Sequence, residues 1–288
     1  MTQRGVINMD WRKTEIIFII TFLLVDIFLG VVWFNKKLAD NTDKLSSSSI
    51  QENLRNDHIK YPADLSEKSA SGAIFTAEPY IFQTKELKEL KDQSLTIQNQ
   101  GTILHSQLKK PIQVDPKKDN PDLKQFIENH VYKGKSYAFW KYDEQAHELV
   151  YYQVMHKSPI LFEKNAYVRF YLNNDNEVTS YEQTLLEKQN DLKEKNDLIS
   201  ASVALESIYQ HGKLQQKSEI KAITFGYYTT VKLSTGNVYF PVWCFEIENK
   251  NVTEFLLVNA EDNQIINVTD MEQKGLEETK ASGMLLPR

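Results

Sequence analysis

The stretch from Ile16 to Phe34, IIFIITFLLVDIFLGVVWF, restricts the possible folds of this chain more than any other feature. As a helix its 19 residues reach about 28 Å, close to the hydrocarbon thickness of a bilayer. A cleaved signal peptide has a shorter apolar core followed by small residues, whereas this run ends in Val32-Trp33-Phe34-Asn35-Lys36-Lys37. The expectation is therefore an uncleaved single-pass transmembrane helix over 16–34. Trp11 and Trp33 sit where indole rings favour the interface, and Arg12, Lys13, Lys36 and Lys37 bracket the run with charges that reach headgroups. Lysines and arginines balance on the two sides, so charge does not set the orientation. A long domain after an early span behaves as a signal anchor, which places residues 1–15 in the cytoplasm and the large domain outside.

Beyond the span the chain is long enough for one large or two ordinary domains. A net charge of −5 with no basic run argues against nucleic acid as a partner. Cys244 is the single cysteine, so neither an intrachain disulfide nor a multi-cysteine metal site is available. The polar residues 35–49, with four consecutive serines, read as a tether. Ile50, Leu54 and Ile59 recur at helical spacing, and a short helix is expected to end before Pro62. The breaker-rich Asp115-Pro-Lys-Lys-Asp-Asn-Pro-Asp122 marks the expected boundary between an N-terminal domain (50–118) and a C-terminal one (119–270).

The C-terminal part reads as two helix-plus-strands units, about 119–190 and 191–270. In the first, Leu123, Phe126, Ile127 and Val131 form one helical face, and strands follow at 136–142, 148–155, 166–172 and 177–184. In the second, Ser200 is an N-cap candidate, Leu205, Ile208 and Tyr209 form the face, and Gly212 ends the helix. Its strands are expected at 219–232, 238–248, 252–259 and 264–269. Pro241 requires an edge or a bulge within the second of these. The fold class is α+β: antiparallel sheets with helices packed on one face. Residues 271–288 read as a disordered tail.

No pattern for catalysis emerges. The ten glycines are too widely spaced to cradle a phosphate. The six histidines include no pair at ligand spacing, and His130 and His211 fall at helix C-termini, where a capping role is the simpler reading. Ser106-Gln-Leu-Lys109 and Ser218-Glu-Ile-Lys221 match S-x-x-K, the motif of serine acyl-enzymes, but the companion elements of that site are missing. The expectation is a non-enzyme without cofactor or metal.

Asp26 then carries the question of function. A charge at the bilayer centre costs about 2.5–3.5 kcal/mol on insertion scales. A lone helix could endure it in neutral form. The favoured reading is that Asp26 meets a hydrogen-bond donor on another membrane helix, with Phe22 and Gly30 one turn to either side on the same face and Gly30 admitting a close approach.

Several segments resemble one family. Met9-Asp-Trp-Arg-Lys-Thr-Glu-Ile-Ile-Phe-Ile-Ile-Thr-Phe-Leu-Leu-Val-Asp-Ile-Phe-Leu29 is similar to the opening of the YycI (WalI) family. That family typically begins M-D-W and holds an aspartate in the middle of its span, matching Met9, Asp10, Trp11 and Asp26. Ile199 to Tyr209, Pro241-Val-Trp243 and Phe255 to Ala260 are similar to its helix and closing strands. Met1 to Asn8 depart from the family as an extension ahead of its usual first residue, and Met271 to Arg288 have no clear counterpart. The resemblance implies a non-enzymatic modulator of the YycG (WalK) sensor kinase of cell-wall metabolism. Its span packs with those of the kinase and of YycH, and its outer domain pairs with that of YycH. The runner-up is an extracytoplasmic PepSY-like module that binds a ligand or restrains a peptidase, with the span as a plain anchor. An envelope hydrolase using Ser106 or Ser218 is the third reading.

Overall fold

The computed structural model describes residues 11–62, 65, 70–118, 120–233, 236–250 and 252–268, without the side chains of 11–14, 31–49, 193–197, 231–233 and 267. The chain divides into two units, Met1–Asp57 and His58–Arg288. The expected tail, 271–288, lies outside the described residues.

The first unit is built on a single helix, α1 (Trp11–Asn56). It covers the expected span and continues through 35–49, so the segment read as a tether is helical. The short helix anticipated around Ile50 is its last part. Between Gly30 and Pro62 there is neither glycine nor proline, and serine costs a helix only a few tenths of a kcal/mol per residue. A serine run weakens a helix without ending it. His58, at φ +56°, turns the chain away just beyond the helix end.

The described residues of the second unit form thirteen strands, in chain order β1 (Ser71–Pro79), β2 (Gln93–Gln98), β3 (Ile103–Gln113), β4 (Tyr137–Asp143), β5 (Glu148–Met155), β6 (Ser158–Pro159), β7 (Tyr167–Leu172), β8 (Glu177–Gln183), β9 (Leu186–Asp197), β10 (Glu219–Leu233), β11 (Gly236–Asn249), β12 (Val252–Asn259) and β13 (Ile265–Asn267). Helix α2 (Pro121–His130) precedes β4, and α3 (Ala201–Gln210) precedes β10. The strands make two sheets, one in the order β2-β3-β8-β7-β5-β4 with β6 on β5, the other β13-β12-β11-β1-β9 with β10 also on β11. Every ladder between these strands is antiparallel. The class is α+β, mostly antiparallel sheet with few helices.

The expected boundary at 115–122 does not separate two domains. Strand β3 on one side of it pairs with β8 on the other, Ser106 opposite Tyr181, and β1 pairs with β11, Phe75 opposite Tyr239. The segment is a turn closed by Asn120. Its Oδ1 accepts from the Asp115 N–H at 2.8 Å, while its Nδ2 donates to the Asp115 and Lys118 carbonyls at 2.9 and 2.8 Å. The Asp115 carboxyl is held below its usual range by the Lys118 ammonium and the Lys117 N–H. Pro and Asn here reverse the chain from β3 onto α2 over the same sheet.

Alternation along the strands assigns the faces. In the β2–β4 sheet, Leu149, Val168, Phe170, Val178 and Tyr181 point to the side where α2 supplies Leu123 and Ile127. Its opposite face brings Val150, Tyr152 and Tyr167 against Tyr228, Val242, Cys244 and Leu257 of the other sheet. Each sheet is thus covered on this shared side by the other sheet. Trp243, one residue along from Val242, faces the other way and donates from Nε1 to the Ile199 carbonyl just ahead of α3, at 2.9 Å. Helix and strand periods therefore place apolar residues on both faces of β11, as its unbroken apolar run requires.

Two local devices match their sequence signals. Ser200 caps α3, its Oγ accepting from the Val203 N–H at 3.3 Å, and Gly212 follows at φ +65°. Pro241 sits where one side of β11 passes from β1, which pairs at 237–239, to β12, which pairs from Val242 onward. A residue with no N–H fits a local edge of that kind.

Candidate partner-binding helix

The residues singled out for partner contact lie on α1. Phe22, Asp26 and Gly30 are four apart, so they form one row along the helix. Phe22 is 66% exposed, and Asp26 is exposed beside it. A methyl group built on Gly30 meets no atom within 4 Å. From Ile16 to Leu29 the large apolar side chains are all exposed, from 46% at Val25 to 66% at Phe28. The one polar side chain sharing this stretch, Thr21, donates its hydroxyl back to the Ile17 carbonyl at 2.8 Å. That bond hides a polar group against the helix backbone and leaves Asp26 as the single ionisable side chain from Ile16 to Gly30.

Among the described residues no helix is long and apolar enough to cross a membrane, and the side chains described for this run stop at Gly30, short of its end at Phe34. The side chains of the expected interface anchors Trp11, Arg12, Lys13, Trp33, Lys36 and Lys37 lie outside the described residues.

The strand domain holds the serine and histidine candidates raised by the sequence. Ser106 is buried, and its Oγ donates to Gln93 Oε1 at 2.5 Å. Lys109 is exposed, so this S-x-x-K pair does not converge. Ser218 is also buried, its Oγ accepting from Asn249 Nδ2 at 2.8 Å, whereas Lys221 is paired with Glu219 and Glu248 at 3.1 and 3.2 Å. In both cases the serine holds loops or strands together and the lysine serves the surface.

His211 is the C-cap of α3, its Nδ1 2.7 Å from the Ser207 carbonyl. His130 ends α2 and stacks on Phe126, with ring centroids 5.2 Å apart. His211 thus takes the capping role expected of it, whereas the C-cap of α2 is Val131 and the His130 ring packs on Phe126 instead. No cluster of three or more potential metal ligands occurs among the described residues.

The model of the family described as "YycI protein" matches residues 39–261. The chain belongs to the YycI family. That match begins beyond the apolar run and takes in the whole of both sheets except β13, so it identifies the chain by its strand domain. The YycI family is a regulatory one. No curated protein matches the chain.

Three solved structures are distantly alike. An uncharacterized protein from Eubacterium rectale shares 8% identity over 74% of this YycI chain and 92% of its own, with a TM-score of 0.48. The YpeB C-terminal domain of Bacillus megaterium shares 12% over 67% and 90%, with a TM-score of 0.36. YycH from Bacillus subtilis shares 12% over 75% of this chain and 62% of its own, with a TM-score of 0.42.

Sequence reasoning singled out the α1 row by its one misplaced charge. It missed a groove on the strand domain, between α2 and the outermost strand β4, whose floor includes the exposed Phe139. An exposed aromatic in an edge strand was the available signal, but strands of this composition commonly bury such residues.

Proposed function

We propose that this chain is a membrane-anchored, non-enzymatic regulator of the sensor kinase YycG (WalK), acting through packing of its transmembrane helix together with a YycH-like partner. It sits in the cell membrane as a single-pass protein, N-terminus inside and strand domain outside. Family membership supports the regulatory system, and one observation supports the helix as the acting part. From Ile16 to Leu29 the large apolar side chains of α1 are exposed, and among them stands a carboxylate that neither its own helix nor lipid can satisfy well. A donor on a neighbouring helix answers that need.

Regulation then requires that α1 bind the two signalling states of the kinase with different affinity, since equal binding shifts nothing. Exchanging residues 16–34 for an unrelated span of equal hydrophobicity tests the proposal against the alternative of a PepSY-like outer module on a plain anchor. The expected result is a chain that is inserted and folded but no longer changes kinase output, read as autophosphorylation in reconstituted membranes. Unaltered regulation after the exchange would favour the anchor reading.

A further inference from the structure

The groove beside β4 is independent of α1 and of the reading given to it. It consists of two adjoining hollows of about 620 and 630 Å³ that share Asn120, Phe139 and Tyr151. Each is of the size that ordinarily holds a ligand or a short piece of chain. The floor is aromatic: Phe139 stands edge-on to Tyr151, ring centroids 5.4 Å apart, and remains 52% exposed. The row arises because Phe139 and Tyr151 are cross-strand partners in the β4–β5 ladder; Tyr151 packs against the core that Leu123 and Ile127 of α2 join, and Phe139 is not part of that core. Strand β4 is also the end strand of its sheet.

The lining has more lysines than carboxylates. The lining contains Lys117, Lys118, Lys124 and Lys135 against two carboxylates, Glu128 and Glu144, on a chain whose net charge is −5. Lys117 and Lys118 are engaged by Glu144 and Asp115, at 2.9 and 2.8 Å. Among the described residues Lys124 and Lys135 form no ion pair, and they line one of the two hollows together with Phe139 and Glu128. The groove therefore offers an aromatic ledge whose lining lysines outnumber its carboxylates, with Lys124 and Lys135 outside any ion pair, on a chain of net negative charge.

We infer that this groove docks an extended acidic peptide segment of a partner protein, an apolar side chain of which lies on Phe139 and Tyr151 while its carboxylates face Lys124 and Lys135. Extended chain suits the site because alternate residues can point to the floor while the others remain at the charged rim. Phe139 supplies the contact energy and the two lysines the selection for acids.

The test uses the full-length protein in lipid nanodiscs and two fluorescein-labelled heptapeptides, Gly-Glu-Phe-Glu-Ile-Glu-Gly and its counterpart with lysine at each glutamate, followed by fluorescence polarisation. The acidic peptide is expected to bind, more weakly as salt rises, and the basic one not to bind. Phe139→Ala should weaken binding about tenfold. Combined Lys124→Glu and Lys135→Glu, on exposed side chains that leave folding intact, should abolish it. Equal binding of the two peptides, or unchanged affinity in both variants, would overturn the inference. So would self-association in sedimentation that Phe139→Ala abolishes, because the groove would then be filled by a second copy of this chain.

Discussion

Asp26→Leu is expected to leave the protein inserted in the membrane and to remove most of its co-purification with the kinase. The substitution has opposite effects on the two processes. It relieves the cost of holding a charge near the bilayer centre, about 2.5–3.5 kcal/mol, so insertion is not impaired. It also deletes the proposed interhelical hydrogen bond, worth about 1–2 kcal/mol, which corresponds to a loss of about 5- to 30-fold in association. A change that makes the helix a better membrane span and a worse partner separates anchoring from recognition. Asp26→Asn, which keeps an acceptor and gains a donor, should retain much of the complex. The measurement is quantitative pull-down of the kinase from solubilised membranes at matched expression. Recovery equal to that of the unaltered chain would mean that Asp26 is tolerated by lipid and recognises nothing.

The second large effect is on the strand domain. Gly134→Ala should lower its stability by about 3 kcal/mol. A methyl group on Gly134 would lie 1.8 Å from the Ile127 carbonyl oxygen and 2.7 Å from the carbonyl carbon, both backbone atoms of the last turn of α2. Neither can move without displacing the helix end, where Ile127 and Val131 are packed into the core. In a domain of this size such a loss corresponds to about 6–12 °C in Tm. Gly212→Ala provides the contrast. Its φ of +65° makes alanine unfavourable, but the added methyl meets no atom within 4 Å, so the cost is about 1 kcal/mol. Thermal unfolding of the two variants, followed by near-UV circular dichroism, should give clearly unequal shifts. Equal shifts would show that close approach at Gly134 is not what fixes α2.

The contrast between local and distant information explains how much of the fold was legible. Strands β4, β5, β7, β8, β10, β11 and β12 stand close to where alternation and Asn- or Gly-bearing turns placed them, and α3 begins and ends at its Ser200 and Gly212 signals. These are properties of neighbouring residues. Strand β1 escaped notice because it buries Ala73 and Ala77 around Phe75, and alanine gives little contrast with its polar neighbours. Strand β9, LEKQNDLKEKND, is nearly all polar, as a charged strand at the end of a sheet needs to be, and alternation cannot reveal it. Both pair with each other across more than a hundred residues of sequence, which is also why the turn at 115–122 was mistaken for a boundary. A sequence lists turns without stating which strands meet after them.

The candidate sites divide in the same way. Asp26 draws attention in the sequence because a carboxylate in an apolar run violates a strong rule within a few residues. The groove was not, because Phe139, Tyr151 and Lys124 converge only when β4, β5 and α2 are assembled. Its cations are ordinary surface lysines in the sequence and become distinctive only when the fold gathers four of them around Phe139 and Tyr151.

The central claim is that one row of α1, and not its opposite side, meets another protein within the membrane. Site-specific photo-crosslinking in living cells tests it most directly, with the photoreactive residue placed in turn at Phe22, Asp26 and Gly30 and, about half a helical turn away, at Leu24 and Phe28. Protein adducts containing the kinase or the YycH-like partner should form from the first three positions and not from the last two. Adducts distributed equally over all five, or none from position 26, would contradict the account.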